Sequence, residues 1–278
     1  MDEGLNLKGN NMKKLVMYCL ILLFIISPSC LSETAENELN VKLIKEFNNY
    51  YFEYFSKDPT KQWGSSFLGV ILMQNPADMW IMQELITEIR PDFIIETGTY
   101  AGGSALYFAT ILKQVNNKGK VITVDIDPKN NYFIDRLKTN PPLYNTVKST
   151  FDNYIEVITS DSVDPELIKQ LKKRTKNKKV IVTLDSCHNY EHVLKELNLY
   201  SELVSPGSYL IVQDTFFDDK EEWIEKYAQC PGYKLKGGPG KAVKEFLRKN
   251  HDFTVDKSRE RFLFTFYPSG YLKKVIKK

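Results

Sequence analysis

The sequence predicts an α/β protein built on a doubly wound, mostly parallel sheet. Short apolar runs that suit buried strands lie near residues 92–96, 120–125, 154–159, 179–184 and 208–213. Stretches with helical patterning alternate with them near residues 103–115, 131–138, 165–173, 189–203 and 239–249. This alternation is typical of parallel strands joined by crossover helices. Ligands of such sheets bind at the carboxyl ends of the strands, so we expect the functional residues there.

The flanking segments predict further elements at both ends of this core. Residues 36–54 and 77–89 predict two helices before the first strand, and Arg90-Pro91 ends the second one. After the last helix, residues 253–255 and 261–267 predict two short strands joined by charged residues. We expect one strand of this closing pair to run antiparallel to the rest.

The first strand runs into a loop that suits a nucleotide-containing cofactor. Gly98, Gly102 and Gly103 have the spacing G-x-x-x-G-G, which differs from the G-x-G-x-x-G of dinucleotide folds. We interpret the missing Cβ atoms as room for a ligand beside the free N–H groups of the next helix. Glu96 would repel a pyrophosphate but suits an ammonium and a sulfonium, as in S-adenosylmethionine. The candidate cofactor residues here are Glu96, Gly98, Thr99, Gly102, Gly103 and Ser104. The alternative is a turn whose glycines only permit tight packing.

Acidic residues also follow the second and third predicted strands. Asp125 is the first acid after its apolar run and is the candidate for binding both ribose hydroxyls, with Asp127 as the alternative. Asp161 and Ser162 follow the third strand, where the adenine would lie. Asp161 suits equally well the N-cap of the helix that begins near Pro165.

The fourth and fifth predicted strands end in a set of oxygen ligands. Asp185 follows the fourth strand, and Gln213 and Asp214 follow the fifth. Together the two carboxylates and the Gln213 carbonyl suit a hard cation such as Mg²⁺, Mn²⁺ or Ca²⁺. A cation there would lower the pKa of a bound hydroxyl, and His188 is close enough in sequence to accept its proton. The alternative is that Asp185 and Asp214 only cap the helices that follow.

A competing pattern overlaps this site. His188, Glu191 and His192 fit H-x-x-E-H, the inverted zinc-protease motif. That motif needs both histidines on one helix, whereas His188 directly follows a strand. We therefore favour the oxygen-ligand interpretation, and we expect His192 to be a helix-surface or packing residue.

Composition excludes several classes of protein. The chain has 38 basic and 35 acidic residues, and this near balance argues against a nucleic-acid surface. Its four cysteines show no C-x-x-C spacing, so the sequence predicts neither a zinc ribbon nor a disulfide framework.

With these residues assembled, the chain resembles the cephalosporin hydroxylase and rhamnosyl O-methyltransferase family from about Trp63 to Leu272. The segments that carry the resemblance include Asn75-Pro76-Ala77-Asp78, Arg90-Pro91-Asp92, Ile95-Glu96-Thr97-Gly98-Thr99, Leu184-Asp185-Ser186, Pro206-Gly207-Ser208-Tyr209 and Asp214-Thr215. The resemblance implies a seven-stranded, Rossmann-like methyltransferase fold with a metal beside the S-adenosylmethionine site and a histidine base at position 188. Two departures are Cys187, where an acid is frequent, and Gln213, where the family usually has Glu. The lost charge at position 213 should weaken cation binding.

We divide the chain into residues 1–32, a helical, substrate-side segment at 33–91 and a methyltransferase domain at 92–278. Residues 1–32 are expected to be a signal peptide or membrane anchor, because Lys13-Lys14 precede an apolar run over 15–26. Ser29-Cys30 loosely resembles a lipoprotein cleavage site. The charges around the run place the rest of the chain outside the cytoplasm, whereas a cofactor made in the cytosol favours the cytoplasm.

The function expected from these observations is metal-assisted, S-adenosylmethionine-dependent O-methylation of a sugar or glycolipid hydroxyl. A different class of function is an exported, non-catalytic carbohydrate-binding lipoprotein on a methyltransferase scaffold. A zinc hydrolase and a hydroxylase are weaker alternatives, and the sequence lacks the two-histidine, one-carboxylate iron set that a hydroxylase needs. Association with the membrane through the N-terminus is expected, and a homo-oligomer is compatible with the sequence.

Overall fold

The structure, a computed structural model, describes residues 33–56, 65–219 and 237–277. Its strands are β1 (Ser66–Phe67), β2 (Val70–Ile71), β3 (Phe93–Thr97), β4 (Lys120–Asp125), β5 (Ile155–Thr159), β6 (Val180–Leu184), β7 (Tyr209–Val212), β8 (Phe253–Val255) and β9 (Tyr271–Lys274). Strands β1 and β2 form a small antiparallel hairpin. The other strands form one seven-stranded sheet in the order β5-β4-β3-β6-β7-β9-β8.

This sheet is parallel except at one strand. All neighbouring pairs among strands β3 to β7 are parallel. Strand β9 runs antiparallel to both of its neighbours, β7 and β8. The predicted doubly wound, mostly parallel, seven-stranded fold is therefore confirmed. The antiparallel strand is β9, which is neither of the two closing strands expected at residues 253–255 and 261–267.

The described residues form eight α-helices. They are α1 (Glu33–Ser56), α2 (Pro76–Ile89), α3 (Gly103–Val115), α4 (Asn130–Asp135), α5 (Pro141–Tyr154), α6 (Pro165–Thr175), α7 (Tyr190–Tyr200) and α8 (Pro239–Lys249). None of the helices in the described ranges is long and apolar enough to cross a membrane. The predicted signal or anchor at residues 1–32 lies outside the described residues.

Side-chain caps and prolines set where several helices begin. Asn75 accepts a hydrogen bond from the first turn of α2, and Asn140 does the same for α5. Asp164 caps α6 by accepting from two backbone N–H groups, so the cap is this residue and not Asp161. A proline stands in the first turn of each of these helices, where its missing N–H costs nothing.

Adjacent residues of the central strand pack into opposite layers. Ile94 packs with Leu85 and Phe108 on one face of the sheet, and Ile95 packs with Leu197 on the other. Both faces are therefore covered, as expected of a parallel sheet. The segment Tyr51–Lys278 forms one compact unit that includes α2, and the proposed boundary between residues 91 and 92 stays a prediction.

Two elements differ from the sequence-based expectation. Helix α5 was not predicted, and it begins with Pro141-Pro142 directly after the capping residue Asn140, a position where proline is favoured. The last strand is Tyr271–Lys274, and the expected strand at residues 261–267 is wrong. That stretch does not join the sheet, since the carboxylate of Asp78 accepts the backbone N–H of Phe266.

Asp78 holds this C-terminal segment against α2. Its carboxylate accepts hydrogen bonds from the Thr265 hydroxyl at 2.5 Å, the Phe266 N–H at 2.8 Å and the Tyr271 hydroxyl at 2.8 Å. The side chain is buried, and burial raises the pKa of the Asp78 carboxyl to about 7. Loss of this carboxylate would remove the acceptor that these three buried donors share.

We expect Asp78→Ala to lower the free energy of unfolding by about 3 kcal/mol, because unpaired buried donors keep their full desolvation cost. Urea denaturation followed by circular dichroism measures this. Asp152→Ala is the control, since Asp152 is exposed and should change stability by less than about 0.5 kcal/mol. Equal effects of the two substitutions would contradict the role of Asp78.

Candidate active site

The candidate site lies where β6 and β7 end. Asp185 follows β6, Asp214 follows β7, and His188 lies in the loop before α7. One ligand atom of each of these three side chains lies within 4.8 Å of the others. The backbone of Asp214 is left-handed, with φ +56°, an uncommon conformation that turns the chain sharply after the strand. The adjacent strand ends thus converge as predicted.

The two carboxyl groups of the site are costly to ionise. Burial, and then the neighbouring Asp214 carboxylate, raise the pKa of Asp185 well above its ordinary value. Burial, and then the charge of Asp78, raise the pKa of Asp214 to about 8. Two acids this close repel each other when both are charged. A cation between them would relieve that repulsion.

His188 faces the same site. Its Nε2 atom lies 3.4 Å from Oδ2 of Asp214, and its ring meets the edge of Phe217 with centroids 5.2 Å apart. Burial lowers the pKa of His188 to about 4, so the imidazole is neutral at pH 7 and can accept a proton. Asn189 caps α7, which leaves His188 outside the helix. The preceding residue, Cys187, is disulfide-bonded.

The side-chain amide of Gln213 hydrogen-bonds two uncharged side chains. Its Nε2 donates to the Thr183 hydroxyl at 2.7 Å, and its Oε1 accepts from the Tyr267 hydroxyl at 2.7 Å. Its role as a metal ligand stays a prediction. Gln74 instead reaches the site, because its Nε2 donates to Oδ2 of Asp185 at 2.7 Å. Sequence reasoning missed Gln74 and Tyr267, since neither follows a strand of the parallel sheet.

Glu96 lies at the end of β3 and is fully buried. Its Oε2 accepts the Thr123 hydroxyl at 2.6 Å, and Thr99 lies 2.7 Å from that same hydroxyl. Burial raises the pKa of Glu96 to about 7, while the nearby Ser104 and Thr123 hydroxyls favour the charged form. Within the described residues, Oε1 of Glu96 is buried and has no partner of hydrogen-bonding geometry. A ligand or water that donates to this oxygen would offset its burial.

Gly98 brings the Glu96 loop against the carboxylate cluster. Its backbone is left-handed, with φ +90°, and a Cβ atom there would lie 2.0 Å from the carbonyl oxygen of Asp185. The N–H of Asp185 also donates to the carbonyl of Thr97 at 2.9 Å. The cofactor loop and the acid of β6 are therefore in direct backbone contact.

Gly102 and Gly103 are also packed against protein. A Cβ atom on Gly102 would lie 2.7 Å from the ring of Phe151, and one on Gly103 would lie 2.0 Å from the carbonyl oxygen of Ile71. The space beside these glycines is filled by the chain itself, which differs from the expectation that a ligand occupies it. Their backbone N–H groups, at the start of α3, remain candidate cofactor contacts.

The Asp125 carboxylate accepts hydrogen bonds from the backbone of two adjacent loops. Its Oδ2 accepts the Tyr100 N–H at 2.8 Å, and its Oδ1 accepts the Asp127 N–H at 2.8 Å. The carboxylate keeps further lone pairs for ribose hydroxyls. Asp127 instead pairs with Lys129. This geometry favours Asp125 over Asp127 as the ribose ligand, a role that stays a prediction.

The two candidate adenine-site residues after β5, Asp161 and Ser162, differ in exposure. Asp161 is exposed, and its Oδ1 accepts the N–H of Val163 at 3.0 Å. Ser162 is buried, with its hydroxyl 3.0 Å from Nε2 of His192. His192 also lies 3.5 Å from Glu196. Among the described residues His192 is not part of the Asp185–His188–Asp214 group, so the zinc motif lacks its second histidine there.

The family model and the similar proteins of known sequence agree on one family. The profile of the family described as Rhamnosyl O-methyltransferase/CmcI matches residues 61–275. The Rhamnosyl O-methyltransferase of Mycobacterium tuberculosis is 32% identical over 218 residues, which cover 75% of this chain and 77% of that protein. The Rhamnosyl O-methyltransferase of Mycobacterium leprae is 29% identical over 235 residues, covering 83% of this chain and 90% of that protein.

Solved structures share the fold. An apo structure of CmcI has a TM-score of 0.53 at 20% identity and covers 77% of each chain. A structure of CmcI titled with Mg and SAM has a TM-score of 0.50 at 19% identity, over 76% of this chain and 77% of that one. The chain belongs to the rhamnosyl O-methyltransferase/CmcI family, which confirms the predicted class of enzyme, an S-adenosylmethionine-dependent methyltransferase.

Proposed function

We propose that the protein transfers the methyl group of S-adenosylmethionine to a hydroxyl of a sugar, free or within a glycolipid, with the help of a divalent cation. The observation that carries this proposal is the convergence of Asp185, His188 and Asp214 beside the Glu96 loop. This places acids, a neutral imidazole and the predicted cofactor contacts at one edge of the sheet. The names of the curated relatives support a sugar as the acceptor.

The loop residues fit the charge of the cofactor. Glu96 has one buried oxygen with no hydrogen-bonding partner among the described residues, and the ammonium group of S-adenosylmethionine supplies donors. Asp125 lies at the end of the neighbouring strand, where both ribose hydroxyls would meet its free lone pairs. Asp161 and Ser162 lie at the end of the third strand, which the adenine would approach.

The carboxylate cluster fits a hard cation. Asp185 and Asp214 have raised pKa values because they are buried close to other acids, and Mg²⁺, Mn²⁺ or Ca²⁺ would favour their charged forms. These two residues would hold the ion, with Gln213 as the predicted third ligand. When bound, the ion would orient the sugar hydroxyl and make it more acidic.

His188 supplies the base in this reaction. Its neutral imidazole accepts the hydroxyl proton while the sugar oxygen attacks the methyl carbon of the sulfonium. The new oxygen–carbon bond forms as the carbon–sulfur bond breaks, which gives a methyl ether and S-adenosylhomocysteine. The proton then leaves His188 for solvent.

The other functions have less support. The described residues bring one histidine and two carboxylates together, not the two histidines and one carboxylate of a hydroxylase iron site. A zinc hydrolase would need His192 at the same cluster. A non-catalytic lipoprotein would not need a base and two acids at the cofactor loop.

We also propose that residues 1–32 are a signal or anchor that places the protein at a membrane or outside the cytoplasm. The support is the apolar run after Lys13-Lys14. A protein that begins at Glu33 should stay folded and bind S-adenosylmethionine as the full chain does. Fractionation of cells that express both forms tests the location, and size-exclusion chromatography tests self-association.

Replacement of Glu96 by Gln should weaken S-adenosylmethionine binding about 10-fold or more, because a charge-assisted hydrogen bond is worth about 1.5–3 kcal/mol. Isothermal calorimetry gives the affinity. Glu166→Gln, at an exposed position of α6, is the matched control and should bind as the wild type does. Tighter binding of NAD than of S-adenosylmethionine would contradict the cofactor assignment.

His188→Ala should lower turnover about 10²- to 10⁴-fold while leaving S-adenosylmethionine and Mg²⁺ affinities unchanged, because a positioned base contributes that range. Release of S-adenosylhomocysteine in the presence of a simple rhamnoside measures turnover. The exposed His251→Ala is the control. Loss of Mg²⁺ affinity in His188→Ala would instead make this histidine a metal ligand.

Asp185→Ala should lose both turnover and the response to Mg²⁺, since it removes a ligand of the ion. Calorimetric titration of Mg²⁺ into the S-adenosylmethionine-bound protein measures the ion. Full activity of the wild-type enzyme after treatment with a chelator would overturn the metal-assisted mechanism.

A further inference from the structure

Uncharged side chains form a buried hydrogen-bonded chain that ends on Asp185. It begins at the Thr183 hydroxyl, 2.7 Å from the amide of Gln213, whose Oε1 lies 2.7 Å from the Tyr267 hydroxyl. Tyr267 also hydrogen-bonds Oε1 of Gln74. The Gln74 amide nitrogen then donates to Oδ2 of Asp185 at 2.7 Å. The mechanism proposed above uses Asp185 and names Gln213 only as a predicted ligand, and it assigns no role to Thr183, Tyr267 or Gln74.

The chain is closed to solvent along most of its length. Thr183 and Tyr267 are 0% exposed and Gln213 is 1% exposed. The ring of Tyr267 packs on Tyr271 with centroids 5.8 Å apart, which fixes where its hydroxyl lies. Buried hydrogen bonds of this kind cannot exchange their partners for water, so removal of one member leaves its neighbours unpaired.

The hydrogens of the chain give it a direction. Tyr267 has one hydroxyl hydrogen and meets the oxygens of two amides. The Gln74 amide nitrogen donates to Oδ2 of Asp185, and its oxygen faces the Tyr267 hydroxyl. Gln213 is free of that constraint, and a half-turn of its amide lets it accept from Thr183 and donate to Tyr267. Each hydrogen bond of the chain then has one donor and one acceptor.

This ordering explains why an amide suits position 213. A glutamate carboxylate has no hydrogen to donate to Tyr267, so it would compete with Gln74 for the single hydroxyl hydrogen. The amide instead makes each hydrogen bond polarise the next one, ending at the Asp185 carboxylate.

The residues of the chain come from separate parts of the fold. Gln74 lies between the β1–β2 hairpin and α2, and Tyr267 lies in the C-terminal segment that Asp78 holds in place. The hydrogen bond between Gln74 and Tyr267 therefore ties the orientation of the Asp185 side chain to two separate parts of the fold. Because Gln74 takes one lone pair of Oδ2, the Oδ1 atom of Asp185 keeps the larger share of free lone pairs for other partners.

We propose that Gln74 and Tyr267 are positioning residues that hold Asp185 so that Oδ1 faces His188 and Asp214, and that Gln213 is the inner end of this chain. The inference rests on the proposed function, since it assigns Asp185 to a cation that assists methyl transfer. It makes the ligand role of Gln213 unnecessary. Groups that orient a metal ligand typically change metal affinity 10- to 100-fold when they are removed.

The test compares two buried tyrosines, of which only Tyr267 bonds members of this chain. Tyr267→Phe removes the hydroxyl of the chain, and the matched control Tyr271→Phe removes a buried hydroxyl that bonds Asp78 instead. Mg²⁺ and Mn²⁺ affinities of the full chain are measured by calorimetry with S-adenosylmethionine present, together with melting temperatures. Tyr267→Phe and Gln74→Leu should each weaken the affinity for both ions about 10- to 100-fold. Tyr271→Phe should change these affinities less than about twofold.

The Gln213→Glu variant distinguishes the two roles proposed for that residue. If Gln213 is a metal ligand, the added charge should make the variant bind Mg²⁺ more tightly than the wild type. If Gln213 is the inner end of the chain, the variant loses the amide donor and should bind Mg²⁺ no more tightly than the wild type. Tighter binding overturns the role assigned to Gln213.

Two results would overturn the positioning role itself. One is an equal effect of Tyr267→Phe and Tyr271→Phe on ion affinity. The other is a wild-type protein that binds neither ion but still methylates a rhamnoside, which would leave the proposed methyl transfer in place. Absence of methyl transfer despite the predicted ion affinities would reject the proposed function and retain the positioning role.

Discussion

The contact between Gly98 and the backbone of Asp185 is the constraint on which the site depends. Strands β3 and β6 are neighbours, so the cofactor loop after one strand and the acid after the other must share the same edge. A side chain at Gly98 would strike the Asp185 carbonyl at 2.0 Å. The glycine thus joins the Glu96 loop to the carboxylate cluster, and a methyl donor and a hydroxyl acceptor can meet there.

A second property of the site is that the protein alone buries its acidic side chains. Glu96, Asp185 and Asp214 all have raised pKa values, with burial as the largest cause. Burial of charge costs several kcal/mol per ion unless opposite charge or hydrogen bonds offset it. A cationic cofactor at the first acid and a divalent ion at the other two would supply that offset. The same burial keeps His188 neutral and ready to accept a proton.

The sequence was sufficient to place the residues that follow parallel strands. Asp125, Asp185 and Asp214 could be found because strand ends of such a sheet meet at one edge. Gln74 and Tyr267 could not, since they reach the site from a hairpin connection and a C-terminal segment far apart in sequence. A sequence pattern does not show which distant segments fold over a strand end.

The errors have the same origin. The glycine spacing correctly indicates absent side chains, but only the fold shows that Phe151 and Ile71 fill the space beside Gly102 and Gly103. The alternation at residues 261–267 is typical of a strand, yet the side chain of Asp78 takes a backbone N–H that a sheet would have used. Tertiary contacts decided both cases.

The most direct test of the central claim is a methyl balance with a simple rhamnoside as acceptor. The purified protein is incubated with S-adenosylmethionine, Mg²⁺ and the rhamnoside, and both products are quantified by mass spectrometry. Methyl transfer at the Asp185–His188–Asp214 cluster predicts methylated rhamnoside and S-adenosylhomocysteine in equal amounts, and neither product from Asp185→Ala. Equal turnover by Asp185→Ala, or S-adenosylhomocysteine with no methylated sugar, would contradict it.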